Sequence, residues 1–265
     1  KGSLDGLKKI IKASENLDMV TIVGLPFLNN FKLYNVAAVV FNGTLLGLVP
    51  KQHIPNYSEF YEARHFAVGP KEVSYIDIPE LGYELEDSGS FVSFGANLLF
   101  KAKNLPELVI GIDICEDLWM PVPPSCYHAM ASATVIANLS ASDETTGKDL
   151  YRRELVKNQS ARLISGYIYA DAGEGESSTD LVFAGHNLIA ENGSILSETK
   201  RFENGMTISE IDLGRLVSER RRMSTFTIND PETNGYEVAE FEFKNICDTT
   251  LTRHFEKTPF VPNDK

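Results

Sequence analysis

The run from Leu108 to Trp119, Leu-Val-Ile-Gly-Ile-Asp-Ile-Cys-Glu-Asp-Leu-Trp, constrains this chain more than any other stretch. Apolar, β-branched residues stop at a cysteine, and two carboxylates, a tryptophan and the proline-rich Met120 to Pro124 follow at once. The pattern predicts a buried strand that runs into a sharp turn. A cysteine at that point is delivered by the strand end into a cleft, where backbone N–H groups of the turn can face an oxyanion. The alternative is an ordinary buried thiol, because cysteine is among the residues most often buried. Residues elsewhere in the chain have to decide between the two.

A chain of 265 residues, 43% of them hydrophobic, can fill one large core or two small ones. Its net charge of −12 argues against nucleic acid or an anionic membrane as a partner, since the long-range field is repulsive. The basic run Arg220 to Arg222 is too short to reverse this and reads as a solvated helix end. No apolar stretch approaches the roughly 20 residues of a membrane span, and no signal-peptide core is present, so a cytoplasmic protein is expected. The three cysteines, Cys115, Cys126 and Cys247, form no C-x-x-C and no zinc spacing, which predicts no disulfide framework. The five histidines are scattered, and no metal site is expected.

Helical spacing of Leu4, Leu7, Ile10 and Ile11 opens the chain, followed by a short strand over Met19 to Val23 that Gly24-Leu25-Pro26 should close. Asn35 to Phe41 and Thr44 to Val49 read as strands joined by Asn42-Gly43, the strongest short hairpin signal. Lys51 to Pro70 is a long aperiodic segment and is expected to build surface with a function rather than merely connect. Weak strands follow near Val73 to Ile78 and Asn97 to Phe100, then a helix from about Ser125 to Ser132 and a buried strand over Thr134 to Leu139. A helix over Asp149 to Ser165 and a strand over Tyr167 to Asp171 come next. The acidic, glycine-rich Gly173 to Ser178 lacks a lysine and is no phosphate loop. Leu181 to Ala190 and Ser194 to Glu198 should pair across Asn192-Gly193, and Gly205 to Ile211 and Glu237 to Phe243 add strands. From Thr258 onward the composition is that of an exit segment. The mixture predicts an α/β sandwich with mixed sheets rather than a purely doubly wound fold.

Three polar groups stand just past strand ends, where α/β proteins gather their sites: Lys51, Cys115, and Ser140 to Ser142. Four motifs surround them: Lys51-Gln-His-Ile-Pro-Asn-Tyr57-Ser-Glu-Phe60-Tyr-Glu62-Ala-Arg64-His-Phe66, Ile114-Cys-Glu-Asp-Leu-Trp119, Ala137-Asn-Leu-Ser-Ala-Ser142, and Gly175-Glu-Ser-Ser-Thr-Asp-Leu-Val-Phe183. On these the chain resembles the nitrilase superfamily of carbon–nitrogen hydrolases and, within it, the glutaminase domain of glutamine-dependent NAD synthetases, over essentially its whole length.

The resemblance implies the α-β-β-α nitrilase-like fold and hydrolysis of glutamine through a cysteine thioester. Cys115 matches the family's nucleophile and Lys51 its catalytic lysine. Glu62 matches a second carboxylate beside that lysine, the alternative being a surface salt bridge with Arg64 or a neighbour. The backbone N–H of Glu116 is the expected oxyanion donor. Tyr57, Phe60, Glu116 and Ser142 fall where this branch contacts glutamine, with Lys148 near a basic position; for Tyr57 and Phe60 core packing is the alternative. Cys126 and Cys247 match nothing and are expected to be structural.

The resemblance also marks a departure. The family's general-base glutamate lies on a strand before the segment that residues 1–24 resemble, so that base and the first strands are expected to be missing from this chain. A glutaminase domain over residues 1–257 and the start of a linker over residues 258–265 are implied. ATP, magnesium and deamido-NAD would belong to a synthetase domain outside it, with no cofactor in this chain and a homo-oligomer expected. The competing readings are a stand-alone hydrolase of another amide and a non-catalytic module on the same scaffold.

Overall fold

The computed structural model describes residues 2–84, 91–176, 181–246 and 250–255. The helix α1 (Gly2–Ala13) precedes β1 (Val20–Asn29), β2 (Lys32–Phe41), β3 (Thr44–Pro50), β4 (Ser74–Ile76) and β5 (Val92–Phe94). These strands form one sheet in the order β1-β2-β3-β5-β4. The second sheet holds β6 (Leu98–Ala102), β7 (Val109–Ile114), β8 (Val135–Ser140), β9 (Gly166–Asp171), β10 (Leu188–Glu191), β11 (Ser194–Glu198) and β12 (Glu237–Phe241), in the order β11-β10-β9-β8-β7-β6-β12. The further α-helices are α2 (Pro124–Met130), α3 (Lys148–Leu163) and α4 (Leu213–Arg222).

Three apolar layers explain the stacking. Ala37, Val39 and Val49 of the first sheet meet Phe100, Ile110, Ile112 and Val135 of the second, giving a dry seam between sheets. The outer face of the first sheet, with Val36, Val40 and Phe94, takes up Leu7 and Ile11 of α1. The outer face of the second, with Leu99, Ile136 and Tyr167, takes up Ala129 of α2 and Val156 and Leu163 of α3. The order is helix, sheet, sheet, helix, and both sheets mix parallel with antiparallel pairs, as the sequence leads one to expect.

Both Asn-Gly turns form the predicted hairpins. Asn42 and Gly43 have φ of 45° and 79°, and Asn192 and Gly193 have 42° and 84°, the left-handed pair that a two-residue turn between twisted strands requires. A third such hairpin joins β1 to β2 through Asn30 and Phe31, with φ of 47° and 62°; without glycine it gave no signal.

The structure departs from the sequence reading at several places. β1 does not stop at Gly24 but runs through Pro26, which is opposite Asn35. It can do so because β1 is an edge strand, where a missing N–H breaks no ladder. Of the expected strand from Leu181, only Leu188 onward is extended in the sheet, and Gly205 to Ile211 forms no strand. Ile211 instead packs on Gly166, where a Cβ would stand 2.7 Å from its Cδ1. β5 had no counterpart among the expected strands. Ser177 to Asp180, Cys247 and the segment from Thr258 lie outside the described residues.

Arg220 is the clearest correction. It closes α4 as expected, yet it is buried rather than solvated. Its guanidinium donates to the carbonyls of Ala133, Leu163 and Ile164, ending the turn before β8 and the turn before β9. Burial lowers its pKa to about 10. Arg220→Ala leaves those carbonyls without a donor and is expected to cost about 3 kcal/mol, read as a fall in the urea midpoint.

Candidate functional site

The site is assembled from the ends of strands in both sheets. β3 ends at Pro50, and the next residue, Lys51, is 3% exposed. Its backbone is fixed at both sides, Lys51 N–H donating to Asn35 O at 2.9 Å and Gly69 N–H to Lys51 O at 3.1 Å. A buried ammonium needs a partner, and Glu62 Oε2 stands 2.5 Å from Nζ. Glu62 comes from the short helical turn Glu62–Arg64, and its Oε1 accepts from Asn35 Nδ2 at 2.9 Å. The surface-bridge alternative for Glu62 is thereby excluded; Arg64 lies over the Tyr61 ring instead.

In the second sheet β7 delivers Cys115 at the first position of a tight turn, Cys115–Trp119. Its φ is +48°, a conformation that a side chain other than glycine rarely adopts. The turn is pinned by side chains: Asn138 Oδ1 accepts the Cys115 N–H at 3.1 Å, and Asp117 Oδ2 accepts the Ile114 N–H at 3.0 Å. The thiol is half-buried. Burial pushes its pKa up, opposed first by the Lys51 charge and then by Ser140 and the backbone of Ala141, while Glu62 raises it further.

A cleft of about 430 Å³ opens over this thiol. Tyr57, Phe60, Glu116, Trp119, Ser142 and Lys148 are among its walls. Tyr57 donates to Glu116 Oε1 at 2.7 Å, is 54% exposed, and meets Phe60 edge to face at 5.7 Å, which excludes core packing for it. Burial and then the Glu116 bond hold its phenol above the usual range. Lys148 contacts Asp143 and lies over the rings of Trp119 and Phe60 at 5.4 and 5.5 Å. Of the site residues that the resemblance implies, Cys115, Tyr57, Phe60, Glu116, Ser142 and Lys148 line the cleft, and Lys51 and Glu62 form an ion pair.

Behind the wall is a group that the sequence reading missed. Arg152, 0% exposed, donates to Glu144 Oε2 at 3.0 Å, Ser142 Oγ at 3.3 Å and Asp143 O at 3.2 Å, and faces His186 Nδ1 at 3.1 Å. Burial opposes its charge, but Tyr169, Asp171 and Glu144 together hold its pKa above the ordinary value. Asp171, at the end of β9, accepts the Ser142 N–H at 2.9 Å, and burial raises its pKa to about 7. An arginine at a mid-helix position gave no signal, since most helical arginines are solvated.

Beneath the thiol, Asp113 of β7 is fully buried and accepts from Tyr167 at 3.1 Å, while Tyr167 in turn accepts from Asn138 Nδ2 at 3.2 Å. Burial, reinforced by Asp117, raises its pKa to about 7. His128 of α2 packs on Gly111, where a Cβ would stand 2.9 Å from its own, and burial lowers its pKa to about 4. In the unfolded chain it titrates near 6.5, so the unfolded state takes up a proton the native state refuses, and stability is lost as pH falls from about 6.5 through about 4. His128→Gln is expected to flatten the decline of the urea midpoint over that window. Among the described residues no cluster of three or more His, Cys, Asp or Glu could hold a metal ion, and no helix is long and apolar enough to cross a membrane.

The profile of the family described as carbon-nitrogen hydrolase matches residues 2–221. The chain belongs to the carbon–nitrogen hydrolase family. Over 270 residues it is 42% identical to the glutamine-dependent NAD(+) synthetase of Mycobacterium tuberculosis, a match that takes in 98% of this chain and 38% of the relative. The chain thus spans well under half the length of such relatives. Among solved structures, the glutamine-dependent NAD(+) synthetase of Cytophaga hutchinsonii is similar at a TM-score of 0.64 and 27% identity, over 77% of this chain and 31% of that one. The carbon-nitrogen hydrolase of Helicobacter pylori shares the fold at a TM-score of 0.64 and 19% identity, over 85% of this chain and 73% of that one. This carbon–nitrogen hydrolase chain has the nitrilase-like α-β-β-α fold.

Proposed function

We propose that the cleft hydrolyses the side-chain amide of glutamine with Cys115 as nucleophile, and that the ammonia serves an amidation by a synthetase of the kind named among its relatives. One observation carries the reading. Cys115, on a turn held at a left-handed φ, opens onto a cleft lined by Glu116, Ser142 and Lys148, and the enclosed Lys51 ammonium after β3 of the opposite sheet is the chief charge opposing the rise that burial gives its thiol. A positive charge beside a thiol favours the thiolate, the form that attacks an amide carbon.

The chemistry follows from the parts. The Cys115 thiolate adds to the amide carbon, and the oxygen that gains charge is stabilised by Lys51 and the Glu116 N–H. The carbon–nitrogen bond then breaks, the nitrogen takes up the proton that the thiol gave up and leaves as ammonia, and water hydrolyses the γ-glutamyl thioester to glutamate and the free thiol. Lys148 suits the substrate's α-carboxylate and Glu116, with Tyr57 on its carboxylate, its α-ammonium, while Phe60 and Ser142 frame the aliphatic stem. Lys51, with Glu62 holding it, is the electrostatic element. ATP, magnesium and deamido-NAD would be the business of the synthetase step, and self-association would be read by light scattering.

Both oxygens of Glu62 are engaged, one by Lys51 and one by Asn35, so Glu62 is poorly placed to accept the thiol proton as a general base. The 265 residues by themselves are accordingly expected to react at Cys115 but to release ammonia from glutamine far more slowly than a typical enzyme rate of about 10 s⁻¹. A coupled ammonia assay tests this; turnover at the typical rate would show that the residues present suffice for proton transfer. Hydrolysis of other amides in preference to glutamine would overturn the substrate.

A further inference from the structure

The reactive pair is drawn from two different sheets, Lys51 from the end of β3 and Cys115 from the end of β7. Apolar packing holds the sheets together, but it does not fix the separation of two polar groups, and the effect of a charge on a thiol weakens as that separation grows. Besides the exposed Tyr57–Glu116 bond, a buried polar side chain joins the two strand ends. Asp117, 3% exposed, accepts the Ile114 N–H through Oδ2, and through Oδ1 it accepts the backbone N–H of His53 at 3.0 Å and meets His53 Nδ1 at 2.8 Å. His53 is two residues beyond Lys51. A single carboxylate thus grips the residue before the nucleophile with one oxygen and the segment after the lysine with the other.

We infer that Asp117 is a positioning residue that sets the distance between the Lys51 ammonium and the Cys115 thiol. It is not among the residues lining the cleft and acts through Lys51. Asn138, which holds the Cys115 N–H, cannot do this, because it is on β8, the neighbour of β7 in the same sheet. Three acceptor contacts on two oxygens suit a carboxylate. An asparagine offers one acceptor oxygen, and its amide would turn a donor toward either the Ile114 or the His53 N–H. The inference rests on Cys115 and Lys51 being the reactive pair.

The test is a double-mutant cycle on thiol reactivity, in which iodoacetamide labelling of each cysteine in the 265-residue chain is followed by peptide mass mapping from pH 6 to 10. Asp117→Asn is expected to lower the Cys115 rate at pH 7 by about 10-fold and to move its pH profile upward by about one unit. Lys51→Met should lower the rate about 100-fold, and the double variant should match Lys51→Met within about 3-fold rather than fall a further 10-fold, because a residue that acts through Lys51 has nothing left to act on. His53→Ala, which removes the ring contact and leaves the turn untouched, should give a fall of about 3-fold and keeps the test open if Asp117→Asn does not fold. Effects that multiply in the double variant, or an Asp117→Asn profile identical to the parent's, would overturn the inference. A parent chain in which Cys115 reacts no faster than Cys126 would instead overturn the reactive pair itself.

Discussion

Lys51→Met is expected to cut the alkylation rate of Cys115 at pH 7 by about 100-fold, because two effects act in the same direction. The Lys51 charge is the chief influence that opposes burial at the thiol, so its loss lets burial keep the proton on sulfur. Glu62, released from its partner, stays nearby as a negative charge that raises the thiol further. Stability should fall as well, by about 3 kcal/mol, the cost of leaving one half of a buried ion pair alone, moderated by the remaining Asn35 bond and the partial exposure of Glu62. Lys51→Arg keeps the charge but must fit a wider, planar group into a space that is 3% exposed, and should restore only part of the reactivity. Alkylation kinetics and a urea titration on the same samples separate the two effects.

Arg152→Met should be the most destabilising of these substitutions, at about 4 kcal/mol in urea unfolding. The side chain is wholly enclosed and serves Glu144, Ser142 and the Asp143 carbonyl together. Methionine fills the volume of the stem but leaves Glu144 and the carbonyl unsatisfied, with Arg201, 3.6 Å away at the edge, as the remaining cation for Glu144. Because Ser142 and Lys148 flank that segment in the cleft wall, the variant should also lose glutamine protection of Cys115 against alkylation. Unchanged protection in a destabilised protein would detach Arg152 from the binding face.

The elements legible in the sequence were those that local chemistry alone determines. Asn42-Gly43 and Asn192-Gly193 demand left-handed backbone and nothing else, and they form hairpins regardless of context. The strand ending at Cys115 was equally plain, since its apolar run is buried along its length. What tertiary placement decides was not legible. Pro26 stops a central strand but not an edge one, and edge position is a property of the sheet order. Gly205 to Ile211 has strand-like composition, yet Ile211 is used to fill the space over Gly166 instead. The candidate site divides in the same way. Lys51, Glu62, Cys115, Tyr57, Phe60, Glu116, Ser142 and Lys148 stood out from their motifs, and the fold gathers them. Arg220 read as a solvated charge, Arg152 carried no signal, and the partners of Asp113 and Asp117 were not legible, because a sequence does not show which charges the sheets will enclose or pair.

Covalent capture tests Cys115 as the nucleophile of this cleft most directly. The chain is incubated with a glutamine analogue carrying a diazoketone in place of the side-chain amide, and the modified peptides are mapped by mass spectrometry. A single adduct on Cys115 is predicted, suppressed by excess L-glutamine, absent in Cys115→Ser and slowed in Lys51→Met. Comparable modification of Cys126 or Cys247, or an adduct on Cys115 that glutamine does not suppress, would contradict the assignment of this cleft as a glutamine amidase.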